Sequence, residues 1–223
     1  MLRTVLSSMA SSDDFGPMME REAKRRRFQE SQLRAFLGDG LPWNWTIWKR
    51  HFPTFTPILD FIHPIHYVFD AAMAWADEEA EGWRCYVRHV TLCWQGRVDD
   101  VIRELTTVCR ERGINLEETL ADDDPNKALA DALRYLTNNR SRMDYPTYRR
   151  LGLPVTSSPM ESLVKQINLR VKGTEMFWDD PHGAEAILRL RAAALSDDGR
   201  LERYLENRPG CPFVRRPPLA IAT

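Results

Sequence analysis

The sequence lacks several features that would have identified it quickly. No apolar run approaches the roughly 20 residues that a bilayer-crossing helix needs, so a membrane protein is not expected. The opening stretch, MLRTVLSSMASSDD, is too short and too weakly apolar for a secretory leader. Only four cysteines are present (Cys85, Cys93, Cys109 and Cys211), and none forms a Cys-x-x-Cys pair. Structural zinc therefore has little support. Cys85, Cys93 and Cys109 fall in stretches that read as helix and are expected as reduced core thiols of a cytosolic protein. Net charge is also nearly absent: 31 bases against 32 acids leave −1. That excludes a uniformly basic coat, though not a local basic patch. The 11 glycines and 14 prolines fit no fibrous repeat, and there is no internal repeat.

What is present suits a globular chain. The 223 residues are 43% hydrophobic and 28% charged, enough for one ordinary domain or one domain with an insertion. Leu2–Met9 reads as a short strand. Ser12-Asp13-Asp14 can cap a helix over 15–29 that ends in Lys24-Arg25-Arg26-Arg27. Leu33–Leu37 and Pro57–His63 read as buried strands, with an aromatic helix over 42–51 between them. Helices are expected near 64–82, 83–95, 97–112 and 125–138, then a loop over 144–155. Further helices are expected over 159–171, 183–194 and 197–206, and a loose Pro-rich tail from Pro209 to Pro218.

Charge is segregated although it cancels overall. Residues 70–124 hold eight more acids than bases, whereas residues 134–172 hold six more bases than acids. A basic segment beside an acidic one suggests a polyanion site next to a solvated helical region. Two solvated faces of a helical protein would look the same.

Three stretches place carboxylates where strands or helices end. Asp39, in Gly38-Asp39-Gly40, leaves a predicted strand at the end where α/β sheets carry their chemistry. The same residue types also suffice for a plain turn. Asp60 and His63 end the next predicted strand, as two metal ligands or as a structural hydrogen-bonded pair. Glu161 lies three residues after Ser158, a capping-box position. On that helix Leu163, Ile167 and Val171 share an apolar stripe, while Glu161, Lys165, Asn168 and Lys172 share a polar one.

Taken in order, several segments resemble DDE-type transposases of bacterial insertion sequences, in the branch related to mutator-like elements. They are Phe36-Leu37-Gly38-Asp39-Gly40-Leu41-Pro42-Trp43-Asn44-Trp45, His51-Phe52-Pro53, Ile58-Leu59-Asp60-Phe61-Ile62-His63, and the run from Tyr145 through Glu161 to Ser162. Lys165-Gln166-Ile167-Asn168, Arg170-Val171-Lys172-Gly173, Phe177-Trp178 and Gly183–Leu188 continue the likeness, which covers about Phe15 to Arg200. The resemblance implies an α/β, predominantly helical fold: a partial RNase H-like core with an α-helical insertion between the second catalytic Asp and the Glu. The implied segments are a partial core over 1–63, the insertion over 64–139, a C-terminal core segment over 140–206 and the tail over 207–223. Asp39 would be the second catalytic Asp and Glu161, 122 residues on, the Glu. Both would ligate Mg²⁺ or Mn²⁺. Asp60 and His63 fall on the family's Cys/Asp-x-x-His motif, which is thought to help position DNA. Lys165, Asn168, Arg170 and Lys172 would follow the DNA backbone, with Arg149 and Arg150 as further contacts.

The chemistry asks for such a set independently. Phosphodiester cleavage and strand transfer need an activated water or 3′-hydroxyl and a stabilised leaving oxygen, and two divalent ions serve both. Hard ions need oxygen ligands; no Ser–His or Cys–His pattern is required. The departure from the family is that its first Asp, on an upstream strand, has no counterpart before Asp39. Asp13 and Asp14 sit where a helix cap belongs. The expectation is a truncated or split transposase fragment, inactive alone, acting in the bacterial cytoplasm on the DNA of transposon ends. A separately encoded N-terminal half is the natural partner, and missing strands would leave a sheet edge open to pairing or aggregation. Two rival readings are a non-catalytic helical binding module and a nuclease with Asp39, Asp60 and Glu161 as a self-sufficient cage.

Overall fold

The computed structural model describes residues 3–169, 171 and 181–210. The chain divides into two compact units, Glu20–Ser158 and the pair Met1–Met19 with Pro159–Thr223. The first helix, α1 (Ser12–Arg25), spans that division. It starts three residues earlier than its sequence suggests because Ser11 caps it. The Ser11 hydroxyl donates to Asp14 Oδ2 at 2.9 Å and faces the Asp14 amide at 3.4 Å. Its far end stops at the basic run. Arg27 turns left-handed at φ 59°, and residues 28–30 form one 3₁₀ turn.

The larger unit is built on one strand–helix–strand element. Strand β1 (Ala35–Gly38) leads to α2 (Pro42–His51), which returns the chain to β2 (Thr56–Leu59). The strands are parallel, in the register Ala35↔Thr56 to Gly38↔Leu59. Pro42 sits in the first turn of α2, where its missing N–H costs nothing, and Lys49, Arg50 and His51 face the negative end of the helix dipole. His51 Nδ1 lies 2.7 Å from Glu20 Oε2. Phe36, Phe52 and Phe55 pack ring on ring beside Trp45, and Ile58 and Leu59 are fully buried. Each such aliphatic side chain contributes about 1.5–3 kcal/mol relative to exposure.

Four helices follow: α3 (Ile62–Trp75), α4 (Glu79–Trp94), α5 (Val98–Glu111) and α6 (Lys127–Asn139). The break expected between helices 64–82 and 83–95 falls earlier, because Ala76 is extended and α4 already begins at Glu79, with Glu79 and Glu81 in its first turn at its positive end. α3 packs on α4 and α6, and its small residues Ala71 and Ala72 have no exposed surface. The predicted strand 57–63 also ends early: Ile62 and His63 already belong to α3. The stretch 144–155, expected as loop, holds a short helix, α7 (Tyr145–Arg150). Asp144 Oδ1 accepts from the Thr147 amide at 3.3 Å, a local cap at the helix start.

The smaller unit holds α8 (Ser158–Asn168), α9 (Pro181–Ala194) and α10 (Arg200–Asn207). The apolar stripe Leu163, Ile167 and Val171 is buried, together with Val5, Leu188 and Ala192. Residues 3–8 form no strand. They are held instead by polar groups of the same unit: Val5 N–H to Ser196 Oγ at 3.0 Å, and Met9 N–H to Glu185 Oε2 at 2.7 Å. The described fold is thus predominantly helical with one parallel strand pair. Among the described residues no helix is long and apolar enough to cross a membrane. Residues 211–223, most of the expected tail, lie outside the described residues.

Candidate functional site

Parallel pairing with matched register puts Asp39 and Asp60 immediately beyond the C-terminal ends of neighbouring strands. The Asp60 amide extends the ladder by donating to the Gly38 carbonyl at 2.8 Å. The two carboxylates have different fates from there.

Asp39 is half-buried and shapes the turn into α2. Its Oδ1 accepts from the Leu41 amide at 3.0 Å and from Asn44 Nδ2 at 2.6 Å. Among the described residues Oδ2 has no partner. The Asp39 carbonyl accepts from the Tyr135 hydroxyl at 2.7 Å, so α6 holds the turn from the other side. Burial pushes the Tyr135 phenol well above its ordinary range, with Tyr67 and the charges of Asp39 and Asp60 adding to it, so it stays a proton donor. Gly40 has φ 92°, and a Cβ there would lie 2.5 Å from the Tyr135 oxygen. Only glycine allows this close approach.

Asp60 is 1% exposed and fully engaged. Oδ1 accepts from the Ile62 amide, the first of α3, at 3.2 Å. Oδ2 accepts from the Ser157 hydroxyl and lies 3.6 Å from His63 Nε2. At 3.6 Å the two side chains are close enough for a charge pair but not for a hydrogen bond. The Phe61 amide also donates to the Val155 carbonyl at 2.9 Å. The stretch leading into α8 is thus tied to the end of β2.

Glu161, Lys165 and Asn168 lie on α8, the first two exposed. Glu161 is not needed as a capping box, since Thr156 Oγ1 takes the Ser158 amide at 3.2 Å. Arg170 and Lys172 lie outside the described residues. Arg149 is largely used within the fold: it stacks over Trp94 at 4.0 Å and donates to the Trp94 carbonyl at 3.1 Å, closing the end of α4. Arg150 is exposed, its one hydrogen bond being to Thr147 at 3.4 Å. Asn44, Tyr135 and Ser157 were missed by sequence reasoning. Asn44 and Ser157 stand inside the quoted motifs, whereas nothing local marks Tyr135, 96 residues from its partner.

No described group of three or more His, Cys, Asp or Glu residues is arranged to hold a metal ion. In donor chemistry, Asp39 Oδ2 is an available hard oxygen, whereas each Asp60 oxygen already accepts a bond in a site 1% exposed. No family model, no curated protein and no solved structure matches this chain.

Proposed function

We propose that this chain is a fragment of a DDE-type transposase catalytic region, with a partial RNase H-like core, and that it does not cut DNA alone. The observation that carries the reading is the pair of carboxylates at adjacent parallel strand ends, with Asp60 holding Ser157 just ahead of the helix that bears Glu161. Glu161 follows Ser157 by four residues, about one helical turn. In this reading Asp39 and Glu161 are ligands of a divalent ion. Asp60 and His63 set the position of the Glu-bearing segment, and Lys165 and Arg150 meet phosphates of the DNA. The third carboxylate of a working site is not among the residues that the resemblance matches here, and a separately encoded N-terminal half is one partner that could supply it. Phosphate contacts would orient the DNA without reading its sequence.

Two oxygen ligands hold Mn²⁺ weakly, which makes the test direct. Mn²⁺ is titrated into the full chain and the free ion is followed by electron paramagnetic resonance. Weak binding lost alike in Asp39→Asn and Glu161→Gln is the expected result. Binding that survives either change removes the shared ion and with it the mechanism. A plasmid-nicking assay with Mg²⁺ should show no cleavage by the chain alone. The full engagement of Asp60 favours, as second reading, a helical binding module without catalysis; that reading expects no Mn²⁺ binding at all.

A further inference from the structure

A groove of about 650 Å³ opens beside Gly40, between α2, α3 and α6. Its volume suits a ligand of nucleotide size. Two of its cations are uncompensated. Arg142 lies flat over the Trp45 ring at 4.3 Å, and its hydrogen bonds go to the Asn138 carbonyl and Asn139 Oδ1. Lys49 is exposed on α2. Among the described residues neither has a carboxylate partner. The one acid of the groove, Asp131, is already paired with Lys127 and Arg134, each at 2.9 Å.

The groove also carries an aromatic platform. Tyr67 stacks on Tyr135 with centroids 4.0 Å apart and planes 14° from parallel. Tyr135 is fixed from behind by its bond to the Asp39 carbonyl, so the stack is held before any ligand arrives. Tyr67 remains 36% exposed. Unpaired cations beside a fixed aromatic face form the combination that holds single-stranded nucleic acid, with phosphates on the cations and a base on the ring. A duplex offers no free base face to such a platform.

We propose that this groove binds a single strand of DNA, with a base on Tyr67 and phosphates on Lys49 and Arg142. The choice of DNA among polyanions rests on the transposase reading; the groove itself does not depend on a metal at Asp39. The strand would pass directly beside Gly40, and so beside the Asp39 carboxylate.

The test uses the full chain, a short fluorescein-labelled oligothymidylate and a duplex of equal length, with fluorescence anisotropy read across a salt series. The single strand should bind more tightly than the duplex. Tyr67→Ala should weaken it by about fivefold or more, and Tyr67→Phe should restore it. Lys49→Ala removes an exposed side chain with no partner to lose. It should flatten the slope of log affinity against log salt by about 0.7. Equal affinity for the duplex, no binding, or unchanged behaviour in both Lys49→Ala and Tyr67→Ala overturns the proposal. Mn²⁺ binding lost together with retained single-strand binding would count against the metal site alone.

Discussion

Replacing Gly40 by alanine should unfold the turn that presents Asp39, and the cost can be worked through in parts. Gly40 sits at φ 92°, where an L residue is strained by about 1–2 kcal/mol. The new Cβ would stand 2.5–2.8 Å from the hydroxyl and ring of Tyr135, so that ring must move. Its movement breaks the 2.7 Å bond to the Asp39 carbonyl, a further loss of about 0.5–1.5 kcal/mol. Alanine also narrows the unfolded ensemble, but at a strained site that gain of about 0.4–1 kcal/mol is outweighed. The net destabilisation should be about 2 kcal/mol. Urea unfolding followed by tryptophan fluorescence measures it. The diagnostic is a double-mutant cycle: in a Tyr135→Ala background the clash is gone, and Gly40→Ala should cost about 1 kcal/mol less. If the two changes simply add, Tyr135 does not press on Gly40 and the account of the turn is wrong.

Asp60→Ala should cost about 3 kcal/mol or more, since it strands the Ile62 amide and the Ser157 hydroxyl around a buried site; Ser157→Ala should cost less, and the pair should be non-additive in urea melts. Tyr145 is completely buried and its hydroxyl finds no partner among the described residues, so Tyr145→Phe should raise stability by about 1 kcal/mol, and a lower midpoint would mean a partner exists. His89 gives a pH dependence. Burial pulls its pKa below 6.5, with its Glu104 hydrogen bond at 2.8 Å opposing and neighbouring Arg88 assisting, while Cys85 and Trp75 complete its surroundings. The unfolded chain takes up a proton near pH 6.5 that the folded chain refuses, so stability is full above that pH and falls as pH drops toward the lowered folded value. Burial alone would raise Glu104, but Arg88 and His89 hold it below 4.5, so its own contribution is lost only at still lower pH. A His89→Phe variant should lose the slope just below pH 6.5; an unchanged slope would assign it to another group.

Local pattern carried most of the fold. The helix over 42–51 matches α2 residue for residue, because Pro42 at its start and Phe52-Pro53 at its end are local signals. The apolar stripe of α8 packs as its 3.6-residue spacing required. What failed was tertiary or competitive. Leu2–Met9 had a strand-like composition, but over residues 3–9 side chains from Glu185, Ser196 and Asp197 supply the partners that a ladder would have given. The strand expected to end at His63 was overrun by α3, which starts at Ile62 right after Asp60 and Phe61. The division at Met19 and Ser158 has no composition change to mark it in the sequence. At the site, the turn around Asp39 was legible from Gly-Asp-Gly, whereas the hydroxyl that clamps it arrives from α6 and could be read only in three dimensions.

The unequal state of the two strand-end carboxylates bears on which functional reading stands. A self-sufficient nuclease needs Asp60 as a ligand. Each Asp60 oxygen already accepts one hydrogen bond, and at 1% exposure an ion could reach its remaining lone pairs only if the packing around it opened. A millimolar divalent ion site supplies only about 4 kcal/mol in total toward that opening. Asp39 faces no such cost, since its Oδ1 can keep both present bonds while Oδ2 turns to a ligand. The same arithmetic makes Asp60 useful in another way. An acid that cannot leave its partners is a fixed anchor, and what it anchors is Ser157, at the start of the helix that carries Glu161. The geometry therefore marks Asp60 as an anchor of the Ser157 segment rather than as a second ligand beside Asp39.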